Sequence, residues 1–180
     1  DAAKTAAAVE RLRQEVPGST VGGTPLDMSD AASIRGWVAS AAEFYGPGID
    51  ALVCNSGGPP PGRFSDFDDD AWRSAFDLLV LSAVRLIRAS MPGLSLRGGS
   101  ILIVSSTSVK EPIESLLLSN SLRSATAAMA KTLAAELAPS LIRINCLAPG
   151  RFATGRVERI DRAAAERSGI SVAEARSRAE

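Results

Sequence analysis

The sequence has no histidine, one tyrosine and only two cysteines in 180 residues, and its 20 basic and 20 acidic side chains cancel. Each scarcity removes a class of function. Zero formal net charge, with no long block of like charges, provides no field to draw in nucleic acid or an anionic membrane. The longest apolar run, Leu78 to Ile87, is short and broken by Arg85, so no segment is expected to span a bilayer. Cys54 and Cys146 each lie in an apolar β-like run and lack the paired spacing of a zinc site, so buried thiols are expected rather than ligands. What is present is 46% apolar, enough to bury one sizeable core. A single soluble, cytoplasmic domain over residues 1–180 is the expectation.

The pattern along the chain alternates. Val9, Leu12 and Val16 recur at helical spacing before Pro17-Gly18, and a short strand is expected in "STVGGTPLDMSD". Asp30 then stands as a cap before the apolar stripe Ile34, Trp37, Val38, Ala41 and Tyr45. "IDALVCN" reads as a strand buried on both faces. A Pro/Gly loop leads into Asp68 to Asp70, whose charge suits the first turn of a long helix from about 71 to 92. "GGSILIVSST" is a second buried strand, a small-residue helix follows over about 115–138, and "IRINCLA" is a third strand. Strands alternating with helices predict the α/β class: a doubly wound parallel sheet, Rossmann-type, in three layers.

Ligands of such sheets bind beyond the carboxyl ends of the strands. Those exits are Leu26-Asp27, Asn55-Ser56-Gly57, Ser105-Ser106 and Ala148-Pro149-Gly150. "CNSGGPPPG" is not a phosphate cradle, because three successive prolines supply none of the N–H groups a phosphate nest needs. Its two glycines are expected to let the backbone approach a flat ligand closely, with an ordinary strand-to-helix loop as the alternative.

Asp27 after a strand, then "LVCNSGG", "ILIVSS", a small-residue helix and "IRINCLAPGRFAT" together resemble the short-chain dehydrogenase/reductases, over roughly Asp27 to Thr154. The resemblance implies a sheet binding NADP or NAD and a small-molecule carbonyl or alcohol substrate, most like the 3-oxoacyl carrier-protein reductases. It would place Asp27 near the adenine, Asn55, Ser56 and Gly57 beside the cofactor, and Pro149, Gly150 and Thr154 at the nicotinamide end. It also implies a homo-oligomer, dimer or tetramer, through helices 71–90 and 115–138. The chain opens without Met inside a helix and closes soon after the Ser171/Glu174 capping spacing. A window on a longer protein is therefore expected, lacking the family's glycine-rich unit and last strand.

Carbonyl reduction needs a group that polarises the oxygen and delivers a proton. The family uses a Tyr, a Lys four residues on, a Ser thirteen residues before the Tyr, and a more distant Asn. Aligning on "VSS" sets Ser106 at the Ser position, Ser119 at the Tyr, Arg123 at the Lys and Leu79 at the Asn. No histidine is available to replace the missing acid, and Tyr45 lies at the end of an earlier helix. A serine is a poor final proton donor, and Arg123 can grip ribose hydroxyls or a carboxylate without relaying protons. The expected centre is therefore atypical: Ser106 and Ser119 orient the carbonyl, Arg123 anchors ribose or substrate, and the proton comes from water or from Lys110 if that lysine is desolvated. Two alternatives stay open. The segment "SNSLR" is simply helix packing with Lys110-Glu111 on the surface, or the protein is a catalytically silent NAD(P)-binding sensor or scaffold.

Overall fold

The three apolar runs come together as one sheet. In a computed structural model that describes residues 1–178, β1 (Ala51–Cys54), β2 (Gly99–Val104) and β3 (Ile142–Leu147) are parallel and ordered β1-β2-β3. Leu52 stands opposite Ile101, and Ile101 opposite Ile144, so like side chains line up on one face. Among the described residues seven α-helices accompany them: α1 (Ala2–Glu15), α2 (Ala31–Tyr45), α3 (Asp69–Phe76), α4 (Ser82–Leu94), α5 (Leu117–Leu137), α6 (Gly155–Ser168) and α7 (Val172–Arg178).

Local signals explain the helix starts. Asp30 accepts the N–H groups of Ala32 at 2.8 Å and Ser33 at 3.3 Å to open α2, and Asp68 accepts that of Ala71 at 2.8 Å to open α3. At the other end Ser171 accepts the N–H of Glu174 at 3.1 Å, half of the capping box read from the sequence. The long helix expected from about 71 is interrupted by a π segment, Asp77–Leu81, between α3 and α4. Such bulges are frequent at functional sites, and this one carries Leu79.

The core lies on one face of the sheet. Leu52, Cys54, Ile101, Ile103, Ile142 and Ile144 meet Ile34 of α2, Leu86, Ile87 and Leu94 of α4, and Ala130 of α5. Each buried Leu or Ile contributes about 1.5–3 kcal/mol relative to exposure. The parallel Rossmann-type sheet is as expected, but β1 is not buried on both faces: Val53 is 57% exposed, and Leu147 on β3 is 50% exposed. Among the described residues the helices packed on the sheet all lie on the side of Leu52 and Cys54.

Two further expectations are corrected. Residues 19–30 form no strand, because their backbone is held by side chains and not by a neighbouring strand. The Gly22 N–H donates to Tyr45 Oη at 2.5 Å, Arg13 donates to the Val21 carbonyl at 2.7 Å, and the Asp27 N–H donates to Ser33 Oγ at 2.9 Å. Of the two thiols only Cys54 is buried, and burial pushes it up to about 12. Cys146 is exposed near the exit of β3, an edge strand among the described residues.

Candidate active site at the strand exits

The exits of β2 and β3 stay paired past the strands. The Ser105 N–H donates to the Leu147 carbonyl at 2.7 Å and the Thr107 N–H to the Pro149 carbonyl at 3.3 Å. The exit of β1 is joined to that of β2 by one side chain, Arg123 of α5. Its Nη1 donates to the carbonyls of Val104 at 3.0 Å and Ser105 at 3.2 Å, and its Nη2 donates to that of Gly57 at 3.2 Å. Its Nε donates to Ser119 Oγ, one turn earlier on the same helix, at 3.2 Å. Four of the five guanidinium N–H groups are thereby engaged. Burial, and then the charge of nearby Arg156, pull its pKa below the ordinary arginine value.

These bonds bear on the role expected for Arg123. With one N–H left, it cannot grip ribose or a carboxylate through a two-pronged fork while it holds both strand exits. What remains is a fixed positive charge facing Ser119. Because Ser119 Oγ accepts from Arg123, its own O–H is free to donate. Ser106 is in the same state, since its Oγ accepts the Ser108 N–H at 3.1 Å. Ser119 is only 5% exposed, so its reach is short.

The other sequence-predicted residues divide into two groups. Ser56 lines a small cleft with Arg123, Cys54, Met28 and Leu79, and Gly57 supplies the carbonyl that Arg123 holds. Pro149 is tied to the turn after Ser106. Asn55, Gly150 and Thr154 are exposed and make no contact with this cluster among the described hydrogen bonds. Thr154 instead caps α6, accepting the Val157 N–H at 3.4 Å. Asp27 caps its own turn, and its carboxyl is held below the usual range by the Ser29 hydroxyl and N–H.

Leu79 is 3% exposed and packs with Ala75, Val80, Leu118 and Leu122, so the position aligned with Asn is filled by apolar packing. Lys110 is exposed on the loop after β2. Tyr45 belongs to the opposite end of the sheet, where it lines a cavity of about 800 Å³ with Trp37, Ile49 and Leu52. Neither replaces the missing phenol.

Arg156, near the start of α6, escaped the sequence reading. Its guanidinium lies against Gly58, where any Cβ would collide with it, and its Nη2 donates to the Pro59 carbonyl at 3.2 Å. Gly58 therefore admits a side chain of the same molecule, whereas Gly57 has open space where a Cβ would be. The exposed Asn55, the open Gly57 and free hydroxyls over a fixed positive charge form a donor set that fits a flat, polar, anionic ligand such as a nicotinamide nucleotide.

The fold and the residues have counterparts. A family profile described as Enoyl-(Acyl carrier protein) reductase matches residues 1–178. The chain is 37% identical over 149 residues to dehydrogenase/reductase SDR family member 4 of Bos taurus, covering 82% of this chain and 52% of that protein. It is 32% identical over 148 residues to the human family member 2, described as mitochondrial, with 82% and 52% covered. The chain thus spans about half the length of the curated relatives it matches. Among solved structures, a short chain oxidoreductase from Pseudomonas aeruginosa PAO1, NADPH bound and containing an atypical catalytic center, superposes with a TM-score of 0.84 at 26% identity, covering 91% of this chain and 63% of that one. L-sorbose reductase from Gluconobacter frateurii, complexed with NADPH and L-sorbose, gives a TM-score of 0.84 at 28% identity, with 92% and 63% covered.

Proposed function

The chain belongs to the short-chain dehydrogenase/reductase family, and we propose that the protein is an oxidoreductase moving hydride between NADP or NAD and a carbonyl or alcohol, with an atypical centre of Ser106, Ser119 and Arg123. The observation that carries the reading is Arg123: standing where the family has Lys, it joins two strand exits and Ser119 in one hydrogen-bonded unit. The NADPH-bound Pseudomonas oxidoreductase, with its own atypical center, supports it.

In this reading Asn55, Ser56 and Gly57 form the shelf for the nucleotide, Asp27 meets its adenine end, and Pro149, Gly150 and Thr154 border its nicotinamide end. The bound nucleotide supplies the hydride. Ser106 and Ser119 donate their free O–H groups to the substrate oxygen, and the charge of Arg123 behind Ser119 favours the negative charge that develops there. A final proton comes from water, since no phenol or buried lysine is at hand. The small, exposed residues Ser121, Ala125 and Ala128 on α5 offer a face for close helix packing in a homo-oligomer. A cytoplasmic location completes the proposal, and no described helix is long and apolar enough to cross a membrane.

The alternative is a catalytically silent nucleotide-binding sensor or scaffold. Restoring the acid separates the two. Ser119→Tyr with Arg123→Lys should raise NADPH-dependent reduction of a carbonyl panel if the site lacks only its acid. A folded double variant that binds NADPH without any gain would leave the sensor reading standing.

A further inference from the structure

At the carboxyl end of the sheet three charged side chains are withdrawn from solvent, Asp161, Arg123 and Arg156, and of these only Arg156 keeps most of its hydrogen-bonding capacity unspent. Asp161, 1% exposed, takes both Arg151 and Arg176, and Arg63 meets Glu114 at 2.9 Å. Arg123 gives three N–H groups to backbone carbonyls and one to Ser119 Oγ. Arg156 is half-buried, gives one N–H to Pro59, and among the described residues has no carboxylate within ion-pair distance. Four of its five N–H groups are unspent.

Its charged neighbours are Arg123 and Arg159, both of its own sign. Burial and then the charge of Arg159 pull its pKa down, as burial and then Arg156 do for Arg123. Two guanidiniums brought together and partly desolvated repel unless an anion lies with them. The planar fork of Arg156 matches an oxyanion through two parallel N–H groups, and the charge of Arg123, bound to the neighbouring Gly57, adds to it.

Arg156 lies over Gly58 and Pro59, one residue along the loop from the Gly57 carbonyl that Arg123 holds, and Arg123 in turn holds Ser119. We infer that Arg156, backed by Arg123, binds a carboxylate carried by the substrate, so that the substrate class is an oxo acid or the matching hydroxy acid and not a neutral carbonyl. The inference rests on reading the strand exits as a reaction centre. The other source of an oxyanion there is the pyrophosphate of the nucleotide, and the test separates the two.

The complete protein, saturated with NADPH, is titrated calorimetrically with acetoacetate and with methyl acetoacetate, which share a carbonyl and differ in the carboxylate. Acetoacetate should bind about tenfold or more tightly than the ester. Arg156→Gln should bring the two within about twofold, and Arg156→Lys, which keeps the charge but not the fork, should recover part of the difference. The same titrations without nucleotide keep the underlying reading separate. Preference for the acid in a protein that fails to bind NADPH would support the carboxylate site and sink the oxidoreductase reading alone. Equal binding of acid and ester by the unaltered protein would overturn the inference. So would an Arg156→Gln protein, folded by circular dichroism, that loses tenfold in NADPH affinity while keeping its preference for the acid, because the pair would then belong to the pyrophosphate.

Discussion

The two ends of the sheet are built on opposite terms. At the amino end of β1 there is space, a cavity of about 800 Å³ lined by Trp37, Tyr45 and Leu52, and the charged groups around it are matched. Tyr45 Oη accepts from Gly22, and Arg97 meets Asp50 at 3.3 Å. At the carboxyl end there is little enclosed volume, yet two desolvated arginines stand together without a carboxylate between them, and two hydroxyls keep free protons. Volume marks where apolar surface has room. Unmatched charge marks where a ligand is needed.

Substitutions at the two ends should therefore separate stability from binding. Arg123→Ala should do the most damage, since it frees the carbonyls of Gly57, Val104 and Ser105 together. A loss of about 3 kcal/mol in urea denaturation is expected, with nucleotide affinity down tenfold or more. If affinity holds while stability falls, Arg123 is a strand clamp and nothing else. Leu52→Ala, at the cavity end, should lower stability by about 2–3 kcal/mol through lost packing and leave nucleotide affinity unchanged. A parallel loss of affinity would dissolve the distinction between the ends.

Tyr45→Phe should cost about 1 kcal/mol for its bond to Gly22, without any change in carbonyl reduction. A large fall in reduction would return the lone tyrosine to the chemistry. The smallest effect concerns the thiols: at about pH 8, iodoacetamide should modify exposed Cys146 and spare Cys54 until the protein unfolds. Because the Cys54 pKa in the fold lies above its ordinary value of 9.0, its contribution to stability is complete below that value. It should be lost as pH rises toward about 12, a trend that denaturation midpoints taken across the alkaline range would show and Cys54→Ser would remove.

What could be read in advance was local. Asp30 and Asp68 cap the helices they precede, and "ALVC", "SILIV" and "IRINCL" carry enough β-branched and apolar residues to be strands wherever they lie. Readings that depended on neighbours failed. The stretch before Asp27 has strand-like residues but no adjacent strand to accept its hydrogen bonds, and Cys146 has an apolar context but an edge position.

In the site, Ser106, Ser119 and Arg123 were singled out through the family resemblance, whereas the occupation of Arg123 by three carbonyls depends on how α5 meets two strand exits. Arg156 gave one signal, a basic residue close behind a helix-capping Thr in a stretch where acidic residues suit the helix dipole better. Its meaning emerges only when Gly58 is seen beneath it.

The central claim is that the strand exits form a nucleotide site. Titration of the complete protein with NADPH and with NADH in a calorimeter tests this before any substrate is known. Binding at about micromolar strength by either nucleotide, weakened tenfold or more by Arg123→Ala, is the expected result. A folded protein that takes up neither nucleotide would contradict it and leave the sheet as a scaffold.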